Sequence, residues 1–387
     1  MNNLYKSFII FFNLLFITTL NAQVTFIISS LPDNTTTEDI IYIAGNFNSW
    51  NPGHPDYALQ LNDEGFLYIT SPPQTEGTNI EFKFTRGSWE TVEKSSDGKK
   101  TDNREFTFGN GDTVHITIYN WANNENIDIR STAAENVSIV DTKFYIPQLD
   151  RYRRIWIYLP PGYDKTDKHY PVLYMHDGQN VFDASTSYLG EWEVDETLNN
   201  LAEQGYKVPI VVAIDNGCLE RFNEYSPWQY ADSTGGFGDL YIDFIVETLK
   251  PHIDSIYRTF PDRENTGIMG SSMGGLISAY GALKMQDVFS KAGIFSPSYS
   301  FSDSLWTFVQ ETRKQKHMKL YQIIGSREYG MSKYMLAMHD TLLSVGFEKS
   351  EVFSKVIKRG KHNEELWKQE FSAAYLWLFS NFTGSIH

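Results

Sequence analysis

The sequence predicts two folded units in series, a small all-β sandwich followed by a larger α/β domain on a mostly parallel sheet. Three observations carry this. Short apolar runs separated by Gly, Asn, Asp and Pro clusters fill residues 23–121; buried strand and helix patterns alternate beyond residue 141; and Gly270-Ser271-Ser272-Met273-Gly274 stands where a strand pattern gives way to a helix. At 387 residues the chain also exceeds one compact domain of ordinary size.

The first 22 residues read as an export signal. Lys6 supplies a positive start, Phe8 to Leu20 is uncharged and apolar, and Asn21-Ala22-Gln23 offers a small-residue cleavage point. That stretch is shorter than the roughly 20 apolar residues a membrane span needs, so no integral membrane segment is expected once the signal is removed. Cys218 is the only cysteine, which excludes an intramolecular disulfide and a lipid-modified cysteine at the cleavage point. Secretion or periplasmic export is the expected destination. With 33 Lys and Arg against 48 Asp and Glu, and no basic block, nucleic acid is not an expected partner.

Residues 24–28, 40–44, 66–70, 80–85, 106–108 and 114–119 are the strand candidates of the first unit. Residues 122–140 are polar and turn-rich, as a linker or an entering strand would be. In the second unit, strands are expected at 154–159, 170–175, 208–214, 292–295, 319–325 and 352–357. Helices are expected at 192–204, 241–256, 333–345 and 366–379. Continuous apolar strands alternating with helices imply a sheet covered on both faces.

That context gives the G-x-S-x-G run its chemistry. A serine hydroxyl is a weak nucleophile at neutral pH, so it needs a histidine to take its proton and N–H groups to receive the oxyanion, at a sharp turn that small neighbours permit. Ser272 is the candidate nucleophile, with Gly270 and Gly274 relieving the turn. The plainer alternative is a glycine-rich helix start. In an α/β-hydrolase the acid and the histidine follow the serine, each beyond the end of a strand. Of the downstream histidines, His317 precedes a strand, His339 lies in a helical pattern and His387 is terminal, which leaves His362 in the loop between 352–357 and the last helix. Glu328 follows the strand at 319–325 and is the acid candidate. Asp340 is its rival, and the plainer reading of Glu328 is a surface ion pair with Arg327.

His362 would accept and return the Ser272 proton while Glu328 fixes its tautomer. The backbone N–H of Met273 is one expected oxyanion donor; Gln179, in the His176-Asp177-Gly178-Gln179-Asn180 loop after an earlier strand, is the other. His176 and Asp177 lack further ligands at metal spacing, so neither metal nor organic cofactor is expected. Tyr225 and Trp228, beside Arg221, are candidates for a substrate pocket, or for packing a loop on the sheet.

Several separated motifs are familiar together. Tyr170 to Asn180, Glu191-Trp192, Arg221 with Glu224 to Pro227, Gly270 to Gly275, Gly325 to Glu328 and Lys361 to Asn363 resemble the enterochelin-esterase-like family, which overlaps carbohydrate esterase family one. The resemblance covers residue 140 to the C-terminus. It implies an α/β-hydrolase fold and places the family's serine, acid and histidine on Ser272, Glu328 and His362, with Glu where many members carry Asp. Ile41 to Pro52, Phe82 to Glu90 and Asn103-Arg104 resemble starch-binding-type modules of immunoglobulin-like fold. This implies sugar contacts at Trp50, Lys83, Trp89 and Asn103, although residues 91–102 separate Trp89 from Asn103.

The expected arrangement is thus a signal at 1–22, a carbohydrate-binding-like sandwich at 23–121, a linker at 122–140 and an esterase domain at 141–387. The expected function is hydrolysis of carboxylic esters, with acetyl or feruloyl groups on a polysaccharide as the favoured substrate. The competing readings are a glycan binder with an inactive hydrolase domain, a siderophore-ester hydrolase and an acyltransferase.

Overall fold

The computed structural model describes residues 21–32, 35–36, 39–62, 66–96, 98–109, 113–122, 131–187, 190–217, 220–229, 235–328 and 330–380. The expected signal up to residue 20, the linker at 123–130, Cys218 and His387 lie outside them. By its contacts the chain divides into two compact units, residues 1–87 with 102–119, and residues 88–101 with 120–387. Among the described residues no helix is long and apolar enough to cross a membrane.

The first unit is built of strands. One sheet runs in the order Thr113–Thr117, Thr25–Ser30, Leu67–Thr70, Gln60–Leu61; a second has Asn79–Thr85 between Tyr42–Gly45 and Arg104–Thr107. Phe26 from the first sheet and Phe82 from the second meet with ring centroids 4.7 Å apart. Alternation explains this: Phe26 and Ile28 are buried while Thr25 and Ile27 are only half-buried.

The second unit is an eight-stranded sheet. Its strands are β1 (Val137–Ile146), β2 (Arg151–Tyr158), β3 (Val172–His176), β4 (Ile210–Ile214), β5 (Thr266–Ser271), β6 (Lys291–Phe295), β7 (Lys319–Gly325) and β8 (Val352–Ile357), in the spatial order β1-β2-β4-β3-β5-β6-β7-β8. From β4 to β8 every neighbouring pair is parallel, and β1 and β2 are antiparallel additions at one edge. Both faces are covered. Val172 and Tyr174 of β3 enter one apolar cluster and Leu173 and Met175 the other, as a period of two demands.

The helices are α1 (Val194–Glu203), α2 (Arg221–Glu224), α3 (Gly238–Asp243), α4 (Lys250–Ile256), α5 (Met273–Lys284), α6 (Ser304–Thr312), α7 (Ser332–Ser344) and α8 (Glu364–Leu378), with a wider turn at Phe244–Leu249 joining α3 to α4. Buried residues of α1 and α8 share one cluster; those of α5, α6 and α7 share the other. β1 starts at Val137, inside the stretch read as linker. Its residues alternate poorly and most are exposed, because it is an edge strand whose register shifts twice against β2.

Candidate active site

Four chain segments converge beyond the carboxyl ends of β3, β5, β7 and β8, where ligands bind in sheets of this kind. The residue after β5 is Ser272. Its backbone sits at φ 58°, ψ −120°, a conformation that costs a residue with a Cβ of order 1–3 kcal/mol and that persists only where its surroundings over-determine it. Three bonds do so here: Ser272 N–H donates to the Phe295 carbonyl (2.9 Å), and its own carbonyl accepts from Leu276 (3.0 Å) and Ser298 (3.1 Å). A Cβ on Gly270 would stand 2.8 Å from both the Gly274 carbonyl oxygen and the His176 ring; on Gly275 it would stand 2.9 Å from the Phe295 carbonyl oxygen. Gly275, outside the five-residue motif, is therefore more crowded than Gly274, whose nearest such neighbour is at 3.2 Å.

The acid and histidine candidates meet. The Nδ1 of His362 lies 2.7 Å from Oε2 of Glu328. Glu328 is 4 % exposed, so the plainer reading of a surface pair with Arg327 is set aside by burial. Its other oxygen accepts from Gly325 N–H (2.6 Å) and Ser296 Oγ (2.7 Å). The indole N–H of Trp367 donates to Ser296 (2.9 Å), and the same indole meets the His362 ring edge to face, centroids 5.3 Å apart. Asn363 caps α8 by accepting from Leu366 N–H, which fixes the end of the His362 loop. Asp340, the rival acid, lies within α7.

The loop after β3 folds into a short turn, Gly178–Asn180, entered through Asp177 at φ 57°. Asp177 accepts from Nε (2.6 Å) and Nη2 (2.8 Å) of Arg221 and from Nδ2 of Asn216 (2.7 Å). Burial alone would raise the Asp177 carboxyl, but the Arg221 guanidinium outweighs it and holds the group below its usual range. Burial pushes His176 down to about 3, so its ring is neutral, with Nδ1 2.9 Å from the Tyr241 hydroxyl. The Gln179 side chain anchors the turn by accepting from Asn216 N–H (3.1 Å). Met273 opens α5, where first-turn N–H groups stand outside the helical ladder.

Three expectations for the pocket change. Tyr225 is fully buried, its ring centroid 5.3 Å from His176 and 5.1 Å from Tyr241, and its hydroxyl accepts from Asp177 N–H. It supports the turn from beneath and offers no surface to a substrate. Arg221 is spent on Asp177, and Trp228 packs against Tyr280 and Phe308 at 5.4 and 5.8 Å. In the first unit, Lys83 is 2 % exposed rather than facing a sugar, because Phe82, Lys83 and Phe84 are all covered in the central strand of a three-stranded sheet. Trp50 is half-buried at a tight turn with φ 58°, and Asn103 donates to Glu81 (3.0 Å). Trp89 groups by its contacts with the second unit, so the four are not one surface of one unit.

The sequence reading missed Ser296, Ser298 and Trp367. Ser298 places its Oγ 3.4 Å from that of Ser272. The available signal was the run Phe295-Ser296-Pro297-Ser298, small polar residues directly after a buried strand.

The pattern of the Putative esterase family matches residues 146–378, more than half of the chain. The uncharacterized protein YbbA of Bacillus subtilis is 27% identical over 241 residues, 59% of this chain and 92% of its own length. Among solved structures, the enterochelin esterase of Shigella flexneri aligns with a TM-score of 0.53 at 13% identity over 93% of both chains. The ferulic acid esterase AmCE1/Fae1A of Anaeromyces mucronatus aligns at 0.50 and 21% identity, over 65% of this chain and 96% of its own. At these identities the structural likeness speaks to fold. With the family pattern over more than half of its length and a sheet order that places Ser272 at the strand-to-helix elbow, this chain belongs to the Putative esterase family and is an ester hydrolase.

Proposed function

We propose that this protein is a secreted serine esterase that removes acyl groups, acetyl or feruloyl, from carbohydrate through a Ser272-His362-Glu328 triad. The observation that carries the mechanism is the 2.7 Å contact between Glu328 and His362, on a carboxylate whose other oxygen already has two donors. Ser272 Oγ attacks the ester carbonyl carbon and His362 Nε2 takes its proton. Charge develops on the carbonyl oxygen, facing the amides of Met273 and Gln179, each of which is worth about 3 kcal/mol to such a transition state. Collapse expels the sugar alkoxide, which His362 protonates. Water then attacks the acyl-enzyme, gives its proton to His362, and frees the carboxylic acid and Ser272.

The substrate class is supported by likeness to a ferulic acid esterase and by the resemblance of the first unit to starch-binding modules, with Trp50 only half-buried and so able to present part of its ring to a sugar. Export is supported by residues 1–22. A second reading, hydrolysis of catecholate siderophore esters, is favoured by the alignment with enterochelin esterase along nearly the whole chain. Purified protein should release p-nitrophenol from short acyl esters and acid from acetylated or feruloylated xylan, and Ser272→Ala and His362→Ala should each lower kcat by at least ~10⁴-fold with an unchanged melting temperature. Substantial activity in either variant would remove the triad. Turnover confined to dihydroxybenzoyl-serine esters would keep the triad and replace the carbohydrate substrate.

A further inference from the structure

At the start of α1, apart from the elbow, Glu191, Asp195 and Glu196 each turn one carboxylate oxygen toward the others, all within 4.8 Å. Glu191 Oε1, Asp195 Oδ1 and Glu196 Oε2 are buried and have no hydrogen-bond partner. Asp195 is fully buried, so its Oδ1 is shut off from bulk solvent. Among the described residues no Lys or Arg pairs with any of the three. A helix dipole favours carboxylates in a first turn and so accounts for the presence of Asp195 and Glu196. It accounts neither for Glu191, which precedes the helix, nor for three donorless oxygens facing one another.

Two of the remaining oxygens are held from behind. Thr132 Oγ1 donates to Glu191 Oε2 (2.9 Å) and Ala134 N–H to Asp195 Oδ2 (2.7 Å). Asp183, beside them, is held by Ser131 Oγ (2.7 Å) and Ser185 N–H (2.8 Å). For Glu191 and Asp195 this is the arrangement of oriented metal ligands, in which an outer donor fixes the carboxylate while its inner oxygen stays open.

We propose that Glu191, Asp195 and Glu196 bind a calcium ion that braces the start of α1. Oxygens at about 2.4 Å from a common cation lie within about 4.8 Å of one another, and all-oxygen ligation selects a hard cation. Three carboxylates favour calcium over magnesium, which keeps most of its waters and takes one or two. The brace has a route to the acid. Trp192, next to Glu191, packs on Trp367 with centroids 5.6 Å apart, and Trp367 holds Ser296 against Glu328.

The test uses the full chain stripped with EDTA at neutral pH. Calcium should raise the melting temperature by about 3–5 °C for each tenfold increase above its dissociation constant. Terbium should bind and show emission sensitised by tryptophan, displaced by calcium. Asp195→Asn and Glu196→Gln, which keep shape while removing one charge each, should fold and lose both responses. A calcium response equal in the variants and the unsubstituted protein overturns the site. No response to calcium at millimolar concentration also overturns it, leaving three carboxylates that share protons. Magnesium acting where calcium does not overturns the choice of ion.

Discussion

Two groups of buried carboxylates in one domain have opposite surroundings. Glu328 and Asp177 each lie among donors: Gly325, Ser296 and His362 for the first, Arg221 and Asn216 for the second. Glu191, Asp195 and Glu196 turn their inner oxygens to each other with no donor at all. The price of burying a charge is the same in both places, several kcal/mol per ion after relaxation. What differs is how it is offset, and that difference separates a carboxylate aimed at a histidine from carboxylates that await a cation.

The sharpest way to break the comparison is to spoil the donor-rich side. Glu328→Gln keeps the shape but cannot hold the His362 tautomer, and should lower kcat by about 10³–10⁴-fold in ester turnover with little change in melting temperature. Arg221→Met moves Asp177 toward the donor-poor group, leaving its charge buried without a cation and with Asn216 as a remaining donor. Chemical denaturation should show a loss of about 3–5 kcal/mol, and the double variant with Asp177→Asn should recover part of it.

Acid titration probes the same region. His176 has a folded value of about 3 against 6.5 unfolded, so its contribution is complete above pH 6.5 and is lost as pH falls toward 3. Within that window the unsubstituted protein should lose up to about 1.4 kcal/mol per pH unit more than His176→Gln does. The Asp177 share, from a depressed carboxyl, is lost only below 3.8. The smallest effect belongs to a partly exposed pair. Lys368→Ala, which frees Glu193 from a 3.0 Å contact, should cost less than about 1 kcal/mol, and less again at high salt.

By itself the sequence determined what local pattern and chain order can express. Apolar runs marked β3, β4, β6 and β7, the glycines and small residues around Ser272 marked the elbow, and chain order pointed to His362 and Glu328, because each signal lies within a few residues of the group it describes. Only the tertiary structure decided the rest. The edge strand β1, with its two register shifts, has no clean alternation to read. Trp367 reaches Ser296 across 71 residues and Arg221 reaches Asp177 across 44, pairings that neither partner's neighbours encode. Tyr225 and Lys83 looked available for a ligand because polar ends suggest exposure, yet both are covered by elements far away in sequence. Nothing in the sequence singled out Glu191, Asp195 and Glu196 as a group; only the fold brings three of their oxygens together and leaves those atoms without a donor.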